Sequence, residues 1–187
     1  MDTIRFEPGQ VALFGYGSLL SVAALEETLG KSYRGPFVMS QLRGWRRKWE
    51  AAMPNQSYYT ETAAGRMYPE SILYLNIAPD TGTVLNGSVF AVSAEELCRI
   101  DEDESIYDRV EVGSSLETRV EGGPVYAYVC RPHYRKSEVS GPREAAIRST
   151  YLDSVNHGLA ALGEEFRTAY ERSTDPVPKH LVIADQK

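Results

Sequence analysis

Residues 11–30 read VALFGYGSLLSVAALEETLG, and the fold turns on the break inside them. Val11 to Phe14 is a short apolar run bounded by glycine, the pattern of a buried strand, whereas Leu20, Ala23, Ala24 and Leu29 recur near the helical period. The stretch therefore predicts strand, glycine loop and helix in succession. Gly15 and Gly17 let a ligand or a second backbone come close, and Ser18 or Ser21 can cap the helix. Outward-facing N–H groups at a helix start carry partial positive charge and make an anion seat. A tight connection with no ligand has the same spacing. Leu20 stands where G-x-G-x-x-G needs its third glycine, and no Gly-Lys-Ser/Thr follows, so neither a dinucleotide fingerprint nor a P-loop is present.

The chain has 187 residues, 42% hydrophobic and 25% charged, enough for one domain with a core that needs no disulfide or metal staple. A net charge of −6 argues against non-specific nucleic-acid binding, which releases counterions through a cationic surface. The basic cluster Arg43, Arg46, Arg47 and Lys48, interleaved with Trp45 and Trp49, could form a stacking surface, but the acids between Asp101 and Asp108 outweigh it. The start MDTIRFEPGQ lacks a basic and then apolar leader, and no run approaches the ~18 apolar residues of a membrane span. The expectation is a cytoplasmic protein with no membrane or nucleic-acid partner. Cys98 and Cys130 stand far apart and read as reduced thiols. His133, His157 and His180 share no metal-ligand spacing, so no metal site is expected, and no G-x-S-x-G elbow is present.

Further along, two extended stretches flank a kink at Gly44, and residues 54–70 read as a long surface loop of the kind that selects substrates. SILYLNIAP and LNGSVFAVS predict strands on either side of a turn at Asp80-Thr81-Gly82. Ser93 with Glu96 forms a capping-box pattern ahead of a short helix that ends in four acids, Asp101 to Glu104. YDRVEVG, LETRVEGG and PVYAYVC read as a three-strand meander. Pro142 is placed at the start of a C-terminal helix whose apolar stripe is Ala145, Ile147, Tyr151, Leu152 and Val155, interrupted by Gly158 and Gly163. The domain reading is a single unit over 1–187, with 174–187 an irregular tail.

Acids at a helix C-terminus oppose the macrodipole. A solvated acidic turn is one explanation. The other is a functional site, because a carboxylate facing an apolar cleft has a raised pKa suited to proton transfer.

Three segments together resemble the γ-glutamylcyclotransferase-like superfamily: LFGYGSLL, the run GSVFAVSAEELCRIDEDESIYDRVEV with apolar-Asp-x-x-Glu followed by Tyr and Arg, and TYLDSVNHGLAALG. The resemblance spans about residues 11–165. Phe14 to Leu19 is close to the motif of the glutathione-directed ChaC branch, and QLRGWRRKW resembles the strand after that branch's first helix. Asp103 stands where that branch usually has Arg, and Ser105 where other branches have glycine.

The resemblance implies an α+β fold, a small mixed β-barrel flanked by helices. It implies a cofactor-independent enzyme that releases 5-oxoproline from a γ-glutamyl peptide or amine when the substrate's own α-amine attacks its γ-carbonyl. Glu104 maps to the acid–base residue and Tyr16, Gly17, Ser18 and Leu19 to the substrate loop. Tyr107 is a candidate to orient substrate or donate to the oxyanion, with a core role as its alternative, and Tyr128 is a candidate donor in the cavity. Arg46 or Arg47 could pair with a substrate carboxylate, against the alternative of exposed strand arginines. Two other readings remain: a non-catalytic small-ligand-binding or interaction module on the same fold, and a biosynthetic enzyme that strips a γ-glutamyl protecting group from an amine. Leaving group and oligomeric state are left open.

Overall fold

In the computed structural model, which describes residues 3–187, the elements run β1 (Thr3–Arg5), β2 (Val11–Gly15), α1 (Val22–Leu29), β3 (Phe37–Pro54), β4 (Thr60–Thr62), β5 (Gly65–Met67), β6 (Ser71–Val92), α2 (Ala94–Asp103), β7 (Tyr107–Glu111), β8 (Arg119–Glu121), β9 (Val125–Cys130), β10 (Ala145–Arg148), α3 (Ser149–Leu162), α4 (Glu164–Arg172) and β11 (Val182–Ile183). The architecture is α+β, a large mixed sheet flanked by helices. Among the described residues no helix is long and apolar enough to cross a membrane.

β3 and β6 form the backbone of the sheet, antiparallel from Phe37 opposite Phe90 to Pro54 opposite Ser71. Their register slips at Gly44: Arg43 pairs with Val84 and Trp45 with Pro79, so Asp80–Thr83 loop out against one glycine. Gly44 takes a positive φ of 81°, where a side chain would be strained, and Asp80 Oδ1 accepts from the Gly82 N–H. The expected kink and turn are thus two sides of one corner, and it lets both halves of the ribbon face one core. Leu75, Ile77, Leu85, Val89 and Ala91 point into that core with Leu42 and Ala127, while Phe90 and Val92 point the other way onto Leu25 and Leu29 of α1 and Leu97 and Ile100 of α2. Each fully buried leucine contributes roughly 1.5–3 kcal/mol of transfer free energy.

The second edge of β6 is shared. β2 runs antiparallel against Ser88–Val92, and β10 runs parallel against Ser71 and Ile72. Between them no strand among the described residues pairs with the edge, and a buried backbone acceptor there must find another donor. β9 continues the sheet beyond β2, then β7; β11 continues it beyond β10.

Three expectations change. β8 is no middle strand of a meander, because it leaves the sheet and pairs in parallel with β1, and β7 pairs directly with β9. Ala145 and Ile147 lie on a strand, and α3 begins only at Ser149. A short buried strand between β6 and β11 has no polar alternation, so its apolar residues mimic a helical stripe. Residues 174–187, read as an irregular tail, are irregular for much of their length but tied down by β11, by the Trp49 indole N–H to Asp175 O (3.1 Å), and by Tyr59 pairing with Gln186. Asp185 accepts from the Thr150 N–H at 3.0 Å and so caps α3 from across the chain. The loop 54–70 carries the small hairpin β4–β5.

Arg47 overturns the exposed-strand reading, since its side chain is fully buried. Its Nε donates to Tyr16 O at 2.6 Å, Nη1 to Ser173 Oγ at 2.9 Å and Nη2 to Asn86 O, and the guanidinium lies 3.9 Å over the Tyr170 ring. Burial pulls its pKa down to about 10, so it remains charged near neutrality. Arg46, beside it, is partly exposed and pairs with Asp80 at 2.8 Å and Asp175 at 3.5 Å. Arg47→Met, which strands several buried acceptors, is expected to cost about 3–5 kcal/mol in urea unfolding, against under about 1 kcal/mol for Arg46→Ala. Equal losses would disprove that ranking.

Candidate functional site

The strandless stretch of the β6 edge is where the site forms. β2 ends there at Gly15, and the chain must reverse sharply. A Cβ on Gly15 would lie 2.4 Å from Leu19 O and 2.8 Å from Ser88 Oγ, so the turn closes only on glycine. Ser88 Oγ donates to Leu19 O at 2.9 Å and Arg47 holds Tyr16 O, which fixes the loop Gly15–Leu19 from below. The loop does not enter α1 directly. A single 3-10 turn, Ser18–Leu20, intervenes, and Ser21 caps α1 by accepting from the Ala24 N–H at 3.2 Å. No side chain among the described residues accepts from the amides of Gly17, Ser18 or Leu19. The short turn and the first turn of α1 both border the cavity, and it is the short turn that follows the glycine loop directly.

Above the loop lies a cavity of about 950 Å³. α1 and α3 form its walls, and the C-terminus of α2 forms one end. All seven residues singled out from sequence, Tyr16, Gly17, Ser18, Leu19, Glu104, Tyr107 and Tyr128, line it. Arg47 does not.

Glu104 is the C-cap of α2, its N–H bonded to Ile100 O, and its own carbonyl accepts from the Tyr107 N–H at 2.9 Å. That turn locks Glu104 and Tyr107 together. The capping box at the other end of α2 sets the helix: Ser93 Oγ accepts from the Glu96 N–H at 3.2 Å, and Glu96 accepts from the Ser93 N–H at 2.8 Å. Partly buried, the Glu104 carboxylate has no ion-pair or hydrogen-bond partner among the described side chains. Burial first, and the neighbouring Asp103 charge second, push its pKa up to about 7. Of its acidic neighbours, Asp101 accepts from the Tyr128 hydroxyl at 2.7 Å and faces Arg109 at 3.4 Å, Glu102 is exposed, and Asp103 is exposed while lining the same cavity.

The tyrosines are held by their hydroxyls. Tyr16 donates to Tyr128 O at 2.7 Å and Tyr107 to Leu75 O at 2.8 Å, so Tyr107 takes the backbone acceptor that a missing strand would have bonded. The phenolic protons of Tyr107 and Tyr128 are thus already committed within the chain, to Leu75 and Asp101, which restricts both as donors to a ligand. Burial raises the pKa of Tyr16, Tyr107, Tyr128 and Tyr151, and Glu104 adds to each rise, so all four stay neutral phenols around Glu104. Sequence reading missed Tyr151, which it spent on the helix stripe. Its hydroxyl sits 3.4 Å from where a Gly17 Cβ would be, directly over the loop. It also missed Arg148 and Tyr74, which line the same cavity. A cluster of three or more metal-ligating side chains does not occur among the described residues.

No family model matches the chain and no curated protein does. Solved structures do match in fold. One described as a γ-glutamyl cyclotransferase superposes with a TM-score of 0.58 at 17% identity, covering 90% of each chain. A human protein described as uncharacterized gives 0.60 at 16% identity, over 91% of this chain and 90% of that one. A yeast γ-glutamyl cyclotransferase specific to glutathione gives 0.52 at 14% identity, over 88% and 95%. The chain has the fold of these γ-glutamyl cyclotransferases.

A carboxylate whose folded pKa is raised stabilises the fold fully below its unfolded value near 4.5, and that contribution is lost as pH rises towards about 7. Glu104→Gln is therefore expected to raise Tm at pH 8, with the gain shrinking to nothing by about pH 4.5 in pH-resolved melts. A gain independent of pH would show that Glu104 is not held in a dry site.

Proposed function

We propose that the chain is a cofactor-independent γ-glutamylcyclotransferase, acting on a γ-glutamyl peptide or amine with Glu104 as its proton carrier. The observation that carries this reading is a carboxylate with no partner among the described side chains, its pKa pushed up to about 7 by burial, in the same cavity as a glycine loop held by Arg47 and Ser88. An intramolecular reaction needs little else, because both reacting groups arrive on one molecule.

The α-nitrogen of the substrate forms a bond to its γ-carbonyl carbon, and the amide C–N bond to the leaving group breaks. Glu104 takes one proton from the α-ammonium before attack; that proton and the second one shed by the nitrogen as the lactam forms both pass to the departing amine, which leaves as an ammonium, so the enzyme ends as it began. A pKa near neutrality serves both halves of that cycle. The amides of Gly17, Ser18 and Leu19 supply hydrogen bonds to the substrate carboxylate or to the developing oxyanion. Arg47 and Ser88 keep those amides in place by holding the carbonyls of Tyr16 and Leu19. Tyr16, Tyr107, Tyr128 and Tyr151 wall the reacting carbon from water.

Incubation with glutathione, γ-glutamyl dipeptides and γ-glutamyl amines, followed by 5-oxoproline detection, is expected to give product with at least one of them. Glu104→Gln should lower kcat by about 10²–10⁴-fold. The kcat/KM of the wild type should rise with pH through about 7, as the free carboxylate becomes the base. No product across the panel would favour the non-catalytic binding module, and wild-type turnover by Glu104→Gln would remove Glu104 from the chemistry.

A further inference from the structure

Arg148 ends β10 and lines the cavity that holds Glu104. The acids Glu27, Asp103, Glu104 and Asp153 line the same space, and among the described residues Arg148 is its one guanidinium or ammonium. A ligand carboxylate in this cavity has no other permanent cation to meet.

The guanidinium is held stiffly but not used up. Nε donates to Asp185 Oδ2 at 3.2 Å and Nη2 to Thr150 Oγ1 at 3.1 Å, while Nη1 reaches the Tyr74 hydroxyl only at 3.5 Å. The group stacks on the Tyr58 ring with its carbon 3.9 Å from the centroid. Five N–H groups are available to an arginine, so these three bonds leave one on each terminal nitrogen, the pair that grips a carboxylate end-on. Asp185 is occupied elsewhere: it also accepts from the Thr150 N–H at 3.0 Å and the Thr150 hydroxyl at 2.6 Å. It anchors Arg148 and α3 together without saturating the guanidinium.

Position decides which part of a substrate would arrive there. Tyr151 lies over Gly17, its ring centroid is 5.0 Å from that of Tyr74, and Tyr74 in turn reaches Arg148. Two aromatic rings therefore separate Arg148 from the glycine loop. With the γ-glutamyl half at the loop, the far end of the cavity receives the leaving half.

We propose that Arg148 binds the carboxylate of the leaving group and so selects γ-glutamyl amino acids or peptides over γ-glutamyl amines. This rests on the cyclotransferase reading above. The alternative role for Arg148 is a purely structural ion pair with Asp185, and the test separates the two.

The matched probes are γ-glutamylalanine and γ-glutamylethylamine, which differ only in the leaving-group carboxylate. Wild type is expected to prefer the first, and Arg148→Gln to lower that preference, the ratio of the two kcat/KM values, by about 10- to 100-fold, mainly through KM. Arg148→Lys, which keeps charge but loses the fork, should fall between. A measurement on the unaltered protein guards against misfolding of the variants: free alanine should inhibit turnover more strongly than ethylamine. An unchanged ratio in Arg148→Gln, equal inhibition by the two products, or no wild-type preference would each overturn the assignment while 5-oxoproline formation still upheld the general activity. Absence of 5-oxoproline from every γ-glutamyl compound would overturn both.

Discussion

A guanidinium buried without a carboxylate beside it is the constraint on which this molecule rests. Taking Arg47 out of water carries a desolvation penalty of several kcal/mol, and no ion pair within the described residues offsets it. Neutral acceptors and a ring do so instead: the carbonyls of Tyr16 and Asn86, the Ser173 hydroxyl and the face of Tyr170. Arginine suits this because its planar, weakly hydrated head offers donors in fixed directions. Those acceptors come from the β2 loop, β6 and the end of α4, and Arg47 itself from β3. One side chain thereby ties the glycine loop, the sheet and the C-terminal helix into a common frame. Its backbone extends the same function, with the Arg47 N–H bonded to Ser173 O and its carbonyl accepting from the Asp175 N–H.

Glu104 is the opposite case, a carboxylate in a dry setting with no cation paired to it among the described residues. Arg47 and Glu104 form no ion pair among the described residues, and only Glu104 lines the cavity. Placing the acid at the C-cap of α2 deepens the effect, since a helix C-terminus disfavours negative charge. The capping box at Ser93, α1 packed against Leu97 and Ile100, and the turn to Tyr107 hold it there. A locally unfavourable acid sustained by good packing around it is what a proton-transfer site requires. The cavity exists for a related reason: β2 and β10 share one edge of β6 without meeting, and tyrosine hydroxyls rather than a strand fill the gap.

Much of this was readable in the chain itself. The strand and glycine turn at 11–17, the helix after Ser21, the Gly44 kink, the Ser93 capping box and the acid run ending at Glu104 all carry short-range signals, with causes that lie within a few residues. Sequence pattern misplaced Ala145 and Ile147, because a wholly buried strand has no alternation to betray it. It misjudged β8, whose partner is β1 more than a hundred residues away. Tyr151 was read as core, and apolar spacing alone gives no sign that its hydroxyl reaches over Gly17.

Local chemistry was sufficient to determine where strands turn into helices, which helix end is acidic and which loop needs glycine, since those depend on φ, capping and periodicity. Long-range packing alone decided that Arg47 is buried while Arg46 beside it is not, that Asp185 caps a helix begun 36 residues earlier, and that Arg148 faces the same hollow as Glu104. Burial is a property of what closes over a residue, and neighbours on a strand point to opposite sides, so side-chain type cannot reveal which of two adjacent arginines the core will claim.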